Sequence, residues 1–144
     1  MFLLKDIKLG ARSTISHTFS VSDVKKYADI TGDANPLHLD KEYASKTIFK
    51  KPIVQGLLIC GMIGRILGTI LPGSGTIYLN QTLSFKSPVY VGDKILCVLE
   101  IIKIRDDKPI ITLSTKCINK KNITVIDGEA VVLFPPLLKN KKKL

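Results

Sequence analysis

The sequence predicts an α+β fold: one domain in which an antiparallel sheet of about five strands packs around a single long helix. Three observations lead there. The stretch from Pro52 to Pro72 is largely apolar and of helical length. Everything after Gly75 changes to short apolar runs separated by turn residues. The chain has 144 residues, 45% hydrophobic and 24% charged. That length suits one domain with a sizeable core, and that composition is globular rather than disordered, with no internal repeat.

Residues 11 to 21 read as a first strand, Ser13, Ile15, His17, Phe19 and Val21 alternating with Arg12, Thr14, Ser16, Thr18 and Ser20. Ser22 then reads as the N-cap of a helix with Asp23 in its first turn. Val24, Tyr27, Ala28 and Thr31 share a face of that helix, and Gly32 ends it. From Asp33 to Asp40 a helix cannot continue, because Pro36 lacks a donor and biases Asn35 away from helical angles. This segment is expected to be a structured, polar loop. A short helix over Asp40 to Ser45 and a loop with Lys46, Lys50 and Lys51 facing water lead on to Pro52.

The long helix is expected from Gly56 to about Leu71, closed by Pro72-Gly73-Ser74-Gly75. Gly61, Gly64 and Gly68 recur at helical spacing and allow a neighbour close to the backbone, with packing as the default use. Residues 76 to 85 read as one strand whose apolar side carries Ile77, Leu79, Gln81, Leu83 and Phe85. After the turn at Pro88 to Asp93, strands are expected over 94–105, 110–118 and 123–134. They are joined at Asp106-Asp107-Lys108-Pro109 and at Asn119 to Asn122, with a bulge at Asp127-Gly128. The domain then covers residues 1–136, and 137–144 form a lysine-rich C-terminal tail. A sheet wrapped around a central helix is the hot-dog arrangement. So small a sheet leaves an open edge, and pairing two subunits would cover it, which predicts a homodimer.

Composition narrows the function. Lysine and arginine total 22 against 12 acidic residues, a net charge of +10. Lys139, Lys141, Lys142 and Lys143 fall in the last six positions, and subtracting those four leaves +6. A basic surface can serve nucleic acid, anionic lipid or a polyphosphate ligand, and it can equally be a solvated surface of a lysine-rich chain. There is no tryptophan and no interleaving of surface aromatics for base stacking, so nucleic acid is not expected as a partner. Cys60, Cys97 and Cys117 are odd in number and lack metal-site or disulfide spacing. They are expected to be buried, reduced thiols, and Cys60 has no base near it in sequence. No metal is expected. Met1-Phe2-Leu3-Leu4 is followed at once by Lys5 and Asp6, too short for a secretory leader, which predicts a cytoplasmic protein. The run from Pro52 to Pro72 carries Arg65 and Gln55 and reads as a buried helix rather than a membrane span.

The chemistry concentrates in Asp33-Ala34-Asn35-Pro36-Leu37-His38. A proline-bent segment can aim an aspartate and a histidine five positions apart at one small volume, as an acid–base pair requires. The same residues also make good turn chemistry, with Asp33 capping amides, Asn35 forming an Asx-turn and His38 a surface imidazole. Spacing leaves both readings open. His17, without such company, is expected to be structural. Gly56, opening the long helix, offers unpaired amides and room for a carbonyl oxygen, or is simply a helix start.

Larger motifs add to this. Phe19-Ser20-x-x-Asp23-Val24 with Tyr27-Ala28, then Thr31-Gly32-Asp33-Ala34-Asn35-Pro36-Leu37-His38-Leu39-Asp40 and Pro52-Ile53-Val54-Gln55-Gly56, resemble the MaoC-type (R)-specific enoyl-CoA hydratases. Further on, Leu71-Pro72-Gly73-x-Gly75-x-Ile77-Tyr78-Leu79, Val89-x-Val91-Gly92-Asp93 and Gly128-Glu129-Ala130-Val131-Val132 are similar to the single-domain bacterial hydratases linked to polyhydroxyalkanoate synthesis.

The resemblance implies reversible hydration of a trans-2-enoyl-CoA to an (R)-3-hydroxyacyl-CoA by a hot-dog homodimer. The acyl-CoA is then a substrate, and no cofactor is implied. It makes Asp33 and His38 the catalytic pair, gives the Gly56 amide a share in an oxyanion hole, and assigns substrate contacts to Asn35, Gln55, Leu57 and Gly64. Many members of that family have histidine where Gln55 stands, and close ones have serine where Gly64 stands. These departures bear on substrate positioning and the acyl pocket. Other readings stay open at this point: dehydration of a 3-hydroxyacyl group on acyl carrier protein, thioester hydrolysis on the same fold, or a non-catalytic binding protein with a basic surface.

Overall fold

A computed structural model of the chain describes residues 4–141. The tail lysines Lys142 and Lys143 and the N-terminal Met1-Phe2-Leu3 lie outside the described residues. A single sheet carries the fold, with six strands: β1 Arg12–Thr18, β2 Ile77–Gln81, β3 Ser84–Phe85, β4 Lys94–Ile104, β5 Ile110–Asn119 and β6 Thr124–Leu133. Every pairing is antiparallel, in the order β1-β4-β5-β6-β2, with β3 also on β6. The helices are α1 Val21–Thr31, α2 Pro36–Leu39, α3 Lys41–Ser45, α4 Gly56–Thr69 and α5 Pro136–Lys141. The hot-dog architecture is as expected, with the long helix α4 against the sheet.

The apolar face of α4 carries Ile59, Met62, Ile63, Ile66 and Leu67, spaced by three and four, and all five are buried. They meet the inward residues of the central strands, Ile95, Cys97, Leu99 and Ile101 on β4 and Ile111, Leu113, Thr115 and Cys117 on β5. Strict alternation along those strands is why one side lines the core. Each buried branched or thioether side chain contributes about 2 kcal/mol of transfer free energy, so this contact is the main support of the domain. No helix of the described residues is long and apolar enough to cross a membrane.

Four local details differ from the sequence reading. The cap of α1 is Ser20, not Ser22: Asp23 N–H donates to Ser20 Oγ at 3.1 Å and Ser20 N–H to Asp23 Oδ2 at 2.9 Å. The serine-to-acid spacing of a capping box is satisfied only from Ser20. Residues 76–85 form two short strands, because β2 shifts register at Leu79 and the chain breaks pairing before Ser84. The bulge of β6 falls at Val125, not at Asp127-Gly128, so Val125 and Ile126 are both buried. Gly128 answers another constraint: a Cβ there would lie 1.8 Å from the Thr82 carbonyl oxygen. Finally, a Cβ at Gly61, Gly64 or Gly68 would meet nothing within 4 Å, so among the described residues nothing packs closely on these glycines.

His17 has more company than expected. Its Nε2 lies 2.8 Å from Asp23 Oδ2 and its ring meets that of Phe19 edge-on at 4.8 Å. The Ser20 amide and then His17 hold the Asp23 carboxyl below the usual carboxylate range. Replacing Ser20 by alanine is expected to lower stability by about 1 kcal/mol, read as a fall in Tm. The favourable share of Asp23 is present above the ordinary aspartate value and disappears only as pH falls through its depressed value. An Asp23→Asn variant should therefore differ most from the parent at neutral pH and converge with it in strong acid.

Candidate active site

Gly32 adopts φ 75° at the end of α1, where its N–H closes on the Ala28 carbonyl at 2.8 Å, and so turns the chain out of the helix. Asp33 follows directly, its N–H bonded to Thr31 Oγ1 at 3.2 Å and its Oδ1 accepting from Asn35 N–H at 3.3 Å. Asn35 caps the next helix, its Oδ1 accepting from Leu37 N–H at 3.0 Å, and Pro36 occupies the first helical position. The expected loop thus contains the one-turn helix α2. A proline that cannot sit inside a helix is well placed to begin one, where a missing N–H costs nothing.

His38 sits on α2 and is fixed from below. Ile53 donates its N–H to the Leu37 carbonyl at 3.3 Å, and the Ile53 carbonyl receives His38 Nδ1 at 2.7 Å. A carbonyl can only accept, so Nδ1 carries a proton, and Nε2 is left as the nitrogen whose proton can move. Both Asp33 and His38 are half-buried.

The two side chains line one cleft of about 240 Å³ together with Tyr27, Gln55, Gly56, Leu57 and Phe85. The cleft opens at the start of α4. The first backbone bond into that helix runs from Ile59 N–H to the Gln55 carbonyl, so the amides of Gly56, Leu57 and Leu58 precede the hydrogen-bonded ladder. They bring the positive end of the helix dipole to the cleft. A Cβ on Gly56 would lie 2.4 Å from Phe85 Cε1, so the aromatic ring rests against the glycine. Gln55 is 2% exposed, and its Nε2 donates to the Val24 carbonyl at 3.1 Å, which fixes the amide orientation. Its Oε1 is buried and among the described residues has no hydrogen-bond partner.

Of the expected site residues, Asp33, His38, Gln55, Gly56 and Leu57 come together. Asn35 acts on the turn that carries the pair. Gly64 stands two turns along α4, in a second groove with Leu57, Cys60, Gly61, Tyr78, Leu79 and Leu83. In that groove Tyr78 Oη donates to Gln81 Oε1, and Gln81 Nε2 reaches buried Thr115 Oγ1 at 3.0 Å. Tyr27 and Phe85 were legible in sequence only as apolar positions of a helix and a strand. Nothing in either pattern marks them as cleft walls.

The thiols stand apart from this chemistry. Cys97 and Cys117 oppose each other across β4 and β5, both fully buried. The hydrogen bond to Cys117 and then burial raise the Cys97 thiol well above the usual range. Among the described residues no group of three or more histidine, cysteine or acidic side chains is placed to hold a metal ion. Burial pushes the half-buried Cys60 thiol up to about 11, so it is neutral at physiological pH. Its labelling by iodoacetamide in the folded protein is expected to be slow at pH 7.5 and to accelerate as pH approaches that value, measured by mass spectrometry after timed quenching.

The fold and cleft define a class: the chain belongs to the MaoC like domain family, which it matches over residues 6–122. Within that family it is similar to an (R)-specific enoyl-CoA hydratase of Aeromonas caviae, 41% identical over 131 residues, 91% of this chain and 98% of that protein. A solved structure described as an (R)-hydratase from A. caviae involved in PHA biosynthesis superposes with a TM-score of 0.87 at 42% identity, covering 89% of this chain and 97% of that one. A mitochondrial 3-hydroxyacyl-[acyl-carrier-protein] dehydratase of Arabidopsis thaliana is 41% identical over 134 residues, 91% of this chain and 80% of that protein.

Proposed function

We propose that the chain catalyses reversible hydration of a trans-2-enoyl-CoA to an (R)-3-hydroxyacyl-CoA, with Asp33 and His38 as its base and acid. One observation carries the reading: Asp33, His38 and the open amides of the α4 N-terminus border a single cleft. It occurs in a chain 41% identical to an (R)-specific enoyl-CoA hydratase over nearly its whole length.

Hydration needs a base for water, an acid for the α carbon and donors for the enolate oxygen that forms between them. Asp33 takes a proton from water as the oxygen bonds to the β carbon. The electron pair of the double bond moves toward the thioester carbonyl, whose oxygen is met by the Gly56 and Leu57 amides. His38 Nε2 then gives its proton to the α carbon, and the proton on Asp33 passes to His38 to restore both groups. Its Nδ1–H bond to the Ile53 carbonyl keeps the imidazole oriented throughout. Gln55, fixed by the bond of its Nε2 to the Val24 carbonyl, forms part of the wall beside which the thioester arm would lie. Leu57 and Gly64 border the groove in which the acyl chain would lie.

The same chemistry on acyl carrier protein is a second reading, favoured by the identity to the plant dehydratase. Comparing kcat/KM for crotonyl-CoA and crotonyl-carrier protein separates the two. Replacing Asp33 by asparagine keeps the Oδ1 bond to Asn35 and is expected to lower kcat about a hundredfold or more with an unchanged circular dichroism spectrum. Hydration of crotonyl-CoA at the parent rate by that variant would refute the assignment.

We further propose a homodimer formed through the open edge of the sheet. Among the described residues strand β2 pairs only with β6, and Ile77, Tyr78 and Leu79 on it are 46–50% exposed, with Phe85 at 56% and Leu57 at 59%. A second copy of this chain would cover that edge and the open glycine face of α4 together. A Leu79→Asp variant is expected to elute as a monomer when light scattering is recorded across a size-exclusion column, whereas the parent elutes at twice the chain mass.

A further inference from the structure

His38 is shared with a second, separate cavity of about 430 Å³, a size that suits a small ligand. Its floor is apolar, with Val21, Val24, Leu39 and Val91, and its rim carries Lys25, Lys41, Lys50 and Lys51. Among the described residues no carboxylate side chain lines it. Among the described residues none of these four lysines is ion-paired, whereas Lys46 on the same stretch is bound to Glu42 at 3.0 Å.

Two further details belong to this rim. Lys50 has φ 64°, a left-handed conformation that lysine rarely adopts, and the turn that imposes it is tied by Lys50 N–H to the Thr47 carbonyl at 3.2 Å. Lys51 Nζ stands 5.2 Å over the Tyr90 ring, which places this exposed ammonium beside the cavity wall. Unpaired cations around an apolar concavity fit a ligand that is itself an aromatic body bearing phosphates. A flat acidic protein surface could meet the rim but would not fill the floor.

We propose that this cavity binds the nucleotide end of coenzyme A, with the adenine on the apolar floor and Tyr90 side and the phosphates on Lys50, Lys51, Lys25 and Lys41. The proposal rests on the hydratase reading and deepens it: the thioester arm runs from the lysine rim past His38 into the catalytic cleft, and the carrier is coenzyme A rather than a protein.

The test compares the parent with Lys50→Ala/Lys51→Ala and with a control, Lys103→Ala/Lys108→Ala, that removes equal charge at the β4–β5 hairpin. Substrates are crotonyl-CoA, crotonyl-pantetheine, which lacks the nucleotide, and crotonyl-carrier protein. Adenosine 3′,5′-bisphosphate binding is measured by calorimetry, which needs no turnover. The parent should prefer crotonyl-CoA to crotonyl-pantetheine, and that ratio should fall about tenfold or more in the rim variant, as loss of charge-assisted bonds implies. Bisphosphate affinity should fall by a similar factor, and the control should match the parent in both. An unchanged ratio, an equal fall in the control, or a loss confined to the carrier-protein substrate would overturn the proposal. Bisphosphate binding at the rim in a parent that hydrates none of the three would refute the hydratase reading and leave the nucleotide site standing.

Discussion

Everything in this molecule depends on the burial of one face of α4 in the curve of the sheet. Ile59, Met62, Ile63, Ile66 and Leu67 fix both the position and the rotation of that helix. Rotation matters as much as position, because the same choice that turns these side chains inward presents the helix start to the Asp33–His38 loop and leaves the glycine face outward. The cleft bordered by Asp33 and His38 is therefore a by-product of core packing. Its amide donors come from a helix end that the core holds still, and preorganised donors need no rearrangement when charge develops.

The loop that carries Asp33 and His38 is fixed differently, by backbone groups rather than by a core. Ile53 both gives its N–H to Leu37 and receives Nδ1 of His38, and its neighbour Val54 donates to the Val89 carbonyl at 2.7 Å. A short extended strip thus joins α2 to the 88–93 turn. Because the Nδ1 acceptor is a main-chain carbonyl, no side-chain substitution on that strip removes it. The lysine rim hangs from the same strip, at Lys50, Lys51 and Tyr90.

Much of this was legible from residues alone, and for stated reasons. The period of α4, the strict alternation of β4 and β5 and the stop at Gly32 each reflect a strong local preference that the tertiary structure does not oppose. The Asp33-x-Asn-Pro-x-His38 spacing identified the loop but not its conformation, since Pro36 reads as a breaker until the chain is seen to restart a helix there. The misplaced cap at Ser22 shows the limit of scanning for one cap residue: the reciprocal partner Asp23 selects Ser20. Phe85 and Tyr27 could not be read as cleft walls, because contact across the sequence depends on how α1, β3 and α4 meet. The bulge at Val125 was equally hidden, being a matter of register with β5 and not of any turn residue in β6.

The exposed edge at β2 has a bearing on how a single copy of the chain behaves. An uncovered strand with Ile77, Tyr78 and Leu79 half in water is a template for any other extended segment, including one from an unfinished copy of the same protein. Short length and the register shift at Leu79 limit how long a ladder could grow there. The hazard is greatest while copies are dilute and unpaired. With the proposed pairing of two copies, yield and shelf life of the purified protein would rise with its concentration instead of falling, the reverse of ordinary aggregation behaviour.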